Sequence, residues 1–178
     1  REHAGVRYGM KAESFAPYMD LPAGAGSGTV FELALGSPGA PRDLLRAHGW
    51  KLRDPRRPTR DPWIYQRYLQ RSKAEFGIAK HGYVASGSGW FSERTAAYLA
   101  SGRPAVVQET GFSRWLPAGS GVLPFRSPAE ALAGVAEVNA RYLHHCRAAR
   151  ELAASHFDSN CVLSDLLTRV MRSSACAS

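Results

Sequence analysis

The feature that most constrains this chain is an alternation of short apolar runs with helix-start signals. Phe76-Gly-Ile-Ala79, Ala105-Val-Val-Gln108 and Val122-Leu123 have the length of strands rather than helices. Between and after them stand residues that open helices. Asp61-Pro62 pairs a side-chain acceptor for orphan amides with a proline suited to the first turn. Ser92 begins a helix through Ala100, which Gly102-Arg-Pro104 ends. Ser127-Pro-Ala-Glu130 has the spacing of a capping box, and Asp158 or Ser159 opens a last helix carrying Val162, Leu163, Leu166, Leu167 and Val170. Strands alternating with helices predict an α/β chain: a doubly wound, mostly parallel sheet with helices on both faces. In such sheets ligands bind beyond the carboxyl ends of the strands, which directs attention to the loops 80–92 and 108–114.

The earlier part reads less sharply. Phe15, Tyr18, Met19 and Leu21 suggest a short helix ending before Pro22, followed by the glycine-rich run Ala23 to Gly28. A glycine-rich loop cradles phosphate where it joins a strand to a helix; this one precedes a strand and reads as a linker. Thr29–Leu35 and Trp50–Arg53 read as strands, Arg42–His48 as a helix, and Lys80–Phe91 as a polar loop. Residues 1–28 are accordingly expected to be an N-terminal helix and linker, and 29–178 the α/β domain with its C-terminal helices. The chain begins at Arg1 rather than Met, as an excised piece of a longer protein would.

Charge is unevenly spread. The net charge is +8, and the stretch 42–73 holds ten basic residues against three acids, +7 of that excess. Such a block attracts polyanions, anionic lipid heads or a nucleotide diphosphate, or forms a solvated face. With 44% apolar and 21% charged residues the composition is that of a folded chain. No apolar run has the roughly 20 residues that span a bilayer, so any membrane contact is expected to be peripheral. Cys146, Cys161 and Cys176 are odd in number and lack a C-x-x-C pair, which fits a reducing cytoplasm better than a disulfide framework or zinc knuckle. His144 and His145 are adjacent on a helical segment, so their side chains diverge, unlike i,i+4 metal ligands. No metal site is expected.

From Ser72 to Phe125 the chain resembles the nucleotide-sugar-binding, C-terminal domain of a two-domain GT-B type glycosyltransferase, of the "glycosyl transferases group 1" kind. The likeness rests on Ala74-Glu-Phe-Gly-Ile-Ala-Lys-His-Gly-Tyr-Val84, on Gly87-Ser-Gly-Trp-Phe-Ser-Glu-Arg-Thr-Ala-Ala-Tyr-Leu-Ala-Ser-Gly-Arg-Pro104 and on Val106-Val-Gln-Glu-Thr-Gly111. The resemblance implies transfer of a sugar from a nucleoside-diphosphate sugar to an acceptor hydroxyl. It implies no bound metal or other cofactor, and a separate N-terminal domain, absent from this chain, that holds the acceptor. It further implies that Glu93 accepts hydrogen bonds from the ribose hydroxyls; the alternative is that Glu93 merely complements its helix dipole. Lys80, the loop residues Gly87, Ser88 and Gly89, the helix start at Ser92, and Lys11 are the expected diphosphate contacts. His81 follows the same strand and lies within reach of the diphosphate as well. The sequence departs from the family pattern in having no acid between Glu75 and Glu93, where a sugar-contacting carboxylate would fall near Ala85.

Tyr83, Trp90 and Phe91 are suited either to stacking on a base or to packing the loop. Two rival readings remain. A nucleic-acid-binding module would use the basic block with Trp50, Trp63, Tyr65 and Tyr68, although the helical spacing of these aromatics predicts core. A non-catalytic Rossmann-like binding domain would keep the fold alone.

Overall fold

A computed structural model describes residues 2, 3 and 5–175; Cys176, one of the three cysteines, lies outside them. The chain opens with an antiparallel pair, β1 (Glu2–His3) and β2 (Val6–Arg7). The predicted single helix before Pro22 is instead a series of short turns: α1 (Lys11–Phe15), a 3₁₀ turn (Ala16–Tyr18) and α2 (Leu21–Gly24). Pro22 stands inside the first turn of α2, where its missing N–H costs nothing. Ala23 and Gly24 therefore belong to a helix. Next come β3 (Glu32–Ala34), α3 (Arg42–Ala47), β4 (Lys51–Arg53) and α4 (Pro62–Arg71), the last capped by Asp61, whose Oδ1 accepts from the Ile64 amide at 2.8 Å.

Then follow β5 (Glu75–Gly77), α5 (His81–Ser86), α6 (Glu93–Ala100), β6 (Ala105–Gln108) and β7 (Val122–Phe125). Three helices complete the described residues: α7 (Pro128–Ala140), α8 (Tyr142–His156) and α9 (Ser159–Ala175). The expected loop 80–91 thus contains a helical turn and a half, α5. Ser127 Oγ accepts from the Glu130 amide, while Glu130 reaches back to the Arg126 amide at 2.7 Å rather than to that of Ser127. The capping exchange is shifted by one residue.

The chain is α/β with two parallel sheets. β5-β6-β7 form one, and β3 pairs with β4 in the other. Alternation along β6 and β7 sends side chains to opposite faces. Val106, Leu123 and Phe125 join a core with Tyr18, Leu21 and α7 residues Ala131 and Val138. Ala105, Val107 and Val122 join another with Leu99 of α6 and Ala149 and Ala153 of α8. The two-stranded sheet shares the first core: Phe31 and Trp50 lie 5.3 and 6.3 Å from the Phe76 ring. Trp50 donates its indole N–H to the Met19 carbonyl at 2.7 Å. The expectation that the aromatics of the basic block are core holds for Trp50, 2% exposed, and fails for Trp63, 70% exposed, which falls outside the Ile64/Tyr65/Tyr68/Leu69 stripe of α4.

Candidate functional site

The carboxyl ends of β5 and β6 open into the loops 80–92 and 108–114 singled out from the sequence, while β7 opens onto Arg126 and Ser127, which were not. Beyond β5, Lys80 is the residue before α5 and is exposed, its ammonium 5.8 Å from the Tyr83 ring. Lys11, 69 positions earlier, is carried to the same place because the loop before α1 lies against α5. The Gly82 amide donates to the Gly9 carbonyl, and the Gly9 amide to His81 Nδ1, each at 3.2 Å. His81 therefore holds the Lys11 loop, which occupies one of the ring nitrogens that the sequence reading offered to a diphosphate.

A third cation completes the group. Arg94, on the first turn of α6, places Nε 2.6 Å from Glu75 Oε1. Glu75 is 4% exposed, and its Oε2 is buried without a hydrogen-bond partner. The Lys11 ammonium is held below its ordinary pKa, chiefly by burial and then by the nearby Arg94 and Lys80 charges, with Glu75 opposing. Lys11 thus lies within electrostatic reach of two other cations, Arg94 and Lys80, and of the one buried carboxylate of Glu75. Such an excess of positive charge favours binding of an anion.

The glycine-rich segment behaves differently from expectation. Its amides are not free. Gly87 N–H donates to Val84, Ser88 N–H to Tyr83 and Gly89 N–H to Thr110, at 3.1, 3.3 and 2.7 Å. Gly87 terminates α5 with φ +55°, so the segment is a helix stop followed by a crossing to the β6 loop. An incoming phosphate would have to displace these bonds, which removes Gly87, Ser88 and Gly89 as ready amide donors. Ser92 caps α6 by accepting from the Arg94 amide at 3.2 Å. Glu93 follows on the exposed surface, close enough to act electrostatically on Tyr65 of α4. Tyr83 and Trp90 stack on one another at 4.9 Å, whereas Phe91 packs against Phe112, Trp115 and Phe157. Phe91 is core.

A second feature lies beyond β6 and β7. A cleft of about 430 Å³ is lined by Val84 and Gly87 of the α5 end, by Glu109, Thr110, Gly111, Ser113 and Arg114 of the β6 loop, and by Arg126 after β7. Gly111 has φ +93°, and a Cβ there would stand 2.7 Å from the Gly87 carbonyl oxygen, so only glycine lets the two loops meet. Glu109 accepts from the Gly111 amide at 2.5 Å and lies 3.7 Å from the Arg126 guanidinium. Burial raises its carboxyl, but hydrogen bonds from Ser113 and Gly111, with Arg126, outweigh burial and hold its pKa below the usual range. Arg94, Glu75, Glu109 and Arg126 were not singled out from the sequence. The only signal for Glu109 was its position in the 108–114 loop.

His144 and His145 do diverge: His144 meets Ser120 Oγ at 3.1 Å, while buried His145 accepts from the Gly121 amide and faces Glu137. Among the described residues no group of three or more His, Cys, Asp or Glu is placed to hold a metal ion, and no helix is long and apolar enough to cross a membrane. No protein-family model matches the chain, and neither the curated proteins nor the solved structures include a match for it.

Proposed function

We propose that this chain is the donor-binding half of a GT-B type glycosyltransferase, a doubly wound domain in which the two parallel sheets act as one platform. It holds a nucleoside-diphosphate sugar while an acceptor hydroxyl, presented by a separate N-terminal domain, attacks the anomeric carbon. The observation that supports the reading is that Lys80, just beyond β5, and Arg94, held by Glu75 of β5, both lie near enough to Lys11, brought in from a distant segment, to act on it electrostatically. As the sugar–phosphate bond breaks, negative charge grows on the leaving diphosphate. Cations already in place stabilise that charge without reorganising. Glu93 stands on the same helix turn as Arg94, where a ribose hydroxyl pair bound beside the diphosphate would meet its carboxylate. The free thiols of Cys146 and Cys161 suit a cytoplasmic setting.

Four of the ten basic residues of the block 42–73 are already engaged within the chain. Arg46 and Arg56 are tied to Asp43 and Asp54, Arg53 to Glu32, and Arg42 to the Pro38 and Leu35 carbonyls. The test is thermal stabilisation by a panel of nucleoside diphosphates and the matching nucleosides. A diphosphate that binds the folded state raises the unfolding temperature by mass action. Lys80→Ala should weaken that binding by about 1.5–3 kcal/mol, the range for a hydrogen bond to a charged group. Stabilisation by nucleosides and diphosphates alike, or by none, would sink the reading.

A further inference from the structure

Helix α4 buries one side and leaves the other without a partner. Ile64, Tyr65, Tyr68 and Leu69 are wholly or partly buried. Trp63, Gln66, Arg67, Gln70 and Arg71 recur at the three- and four-residue spacing of a single helix face, and all five are exposed. Trp63 is 70% exposed. Most indoles are largely covered by their own chain, so one left this open on a charged helix face asks what covers it.

The charge around Trp63 has little to balance it. From Arg60 to Lys73 there are four basic residues and one acid, Asp61, whose carboxylate is spent on the Ile64 amide. Among the described residues, Arg60, Arg67 and Arg71 have no ion pair and no side-chain hydrogen bond, unlike Arg46, Arg53 and Arg56 earlier in the block. A free guanidinium matches a phosphate through two parallel hydrogen bonds. An indole combines an apolar ring with one N–H donor and settles at the level of lipid headgroups. A single-stranded nucleic acid asks instead for several stacking platforms along a groove. Of the four aromatics between residues 42 and 73, Trp50 is 2% exposed, and Tyr65 and Tyr68 are half-buried. A second copy presenting the same face would bring like charges together.

We propose that the α4 face formed by Trp63, Arg67 and Arg71, with Arg60 beside it, docks the chain on an anionic phospholipid surface. The guanidiniums lie over lipid phosphates, and the Trp63 ring enters the headgroup layer. Each cation held close to such a surface multiplies partitioning about fivefold, and the attraction fades within a Debye length of about 10 Å. The docking face shares no residue with the group formed by Lys11, Lys80, Arg94 and Glu75, so it stands or falls apart from the glycosyltransferase reading.

The experiment is co-sedimentation of the whole chain with vesicles of phosphatidylcholine alone and of phosphatidylcholine mixed with phosphatidylglycerol. Binding is expected to the mixed vesicles only, and raising the salt from about 0.1 M to about 1 M should abolish it. The double variant Arg67→Gln, Arg71→Gln should lower partitioning about 25-fold, fivefold for each cation removed. Arg169→Gln, Arg172→Gln removes the same formal charge from α9 and should leave partitioning within about twofold of the parent, because those cations lie off the docking face. Tryptophan emission should shift to the blue on mixed vesicles, and Trp63→Ala should lose most of that shift. All the substituted side chains are exposed, and unchanged thermal midpoints would show that the variants fold. Equal binding to both vesicle types, equal losses in the two double variants, or a blue shift that survives Trp63→Ala overturns the docking face. So does failure to bind either vesicle. If vesicles fail while a single-stranded oligonucleotide binds with the same dependence on Trp63 and Arg67, the face belongs to a nucleic acid and the lipid proposal is wrong.

Discussion

Glu32 shows how a single side chain organises the smaller sheet. Arg53 grips it with two bonds of 2.6 and 2.9 Å, and the Tyr68 hydroxyl donates to it at 3.0 Å. The Arg53 bond, aided by Tyr68, holds the Glu32 pKa below its ordinary value despite partial burial. A carboxyl lowered on folding adds stability that is present above the unfolded pKa, about 4.3, and is lost as pH falls through the lower folded value. Urea midpoints should therefore drop as pH falls from about 5 toward 3, and Glu32→Gln should flatten that drop. An unchanged slope in the variant would mean that other carboxylates carry the acid sensitivity. Backbone constraint gives a second expectation. Gly121 has φ +77°, and a Cβ there would meet Ala149 N at 2.5 Å and Ala148 C at 2.7 Å. Gly121→Ala combines backbone strain with overpacking and should cost about 2–5 kcal/mol. Gly119→Ala, strained at φ +102° but with nothing within 4 Å, should cost visibly less. Equal denaturation midpoints for the two would contradict the close approach of α8.

At the scale of elements, side-chain caps fix where α4, α6 and α7 begin. Ser127→Ala removes the acceptor of the Glu130 amide and should cost about 1 kcal/mol, read as a lower urea midpoint at unchanged slope. These starts were legible because a cap is local chemistry: Asp61, Ser92 and Ser127 all accept the amides that the sequence assigns them. Asp158 does the same for Asn160 and Cys161. The strands β6 and β7 were legible for a similar reason, since bounded apolar runs bury both faces. The α5 turn was not. It has no side-chain cap, contains Gly82 and is held by the Gly9 loop, 73 residues away in sequence. The candidate site divides the same way. Lys80 follows a recognisable strand. Arg94 and Glu75, by contrast, acquire meaning only when α6 crosses β5, and Glu109 only when its loop folds beneath Arg126. For glycines 87 and 89 the loop-before-helix pattern could not show that their amides are engaged by Val84 and Thr110.

The whole molecule is organised by one three-stranded sheet that serves two cores. Val106 and Leu123 enter the core containing α7 and the β3/β4 sheet, while Val107 and Val122, one residue away along the same strands, enter the core containing α6 and α8. Neither core can lose its packing without unsettling strands that the other requires. Unfolding should therefore be a single transition, although the apolar clusters are distinct. Leu45→Ala opens a cavity in the first core and Leu99→Ala in the second; the side chains are 4% and 0% exposed. Each should cost about 2–5 kcal/mol. Each should also lower the midpoint seen by far-ultraviolet circular dichroism and by tryptophan fluorescence together, because coincidence of probes is the mark of two-state behaviour. Their summed effect should be close to additive, since the residues sit on opposite sides of the sheet and share no core. The apolar row on α9, by contrast, is open: Leu163, Leu166 and Leu167 are each more than half exposed. Leu167→Gln should move the midpoint by no more than about 0.5 kcal/mol. Two resolved transitions, with Leu45→Ala shifting one and Leu99→Ala the other, would show that the sheet does not couple the cores and that the chain folds as two units.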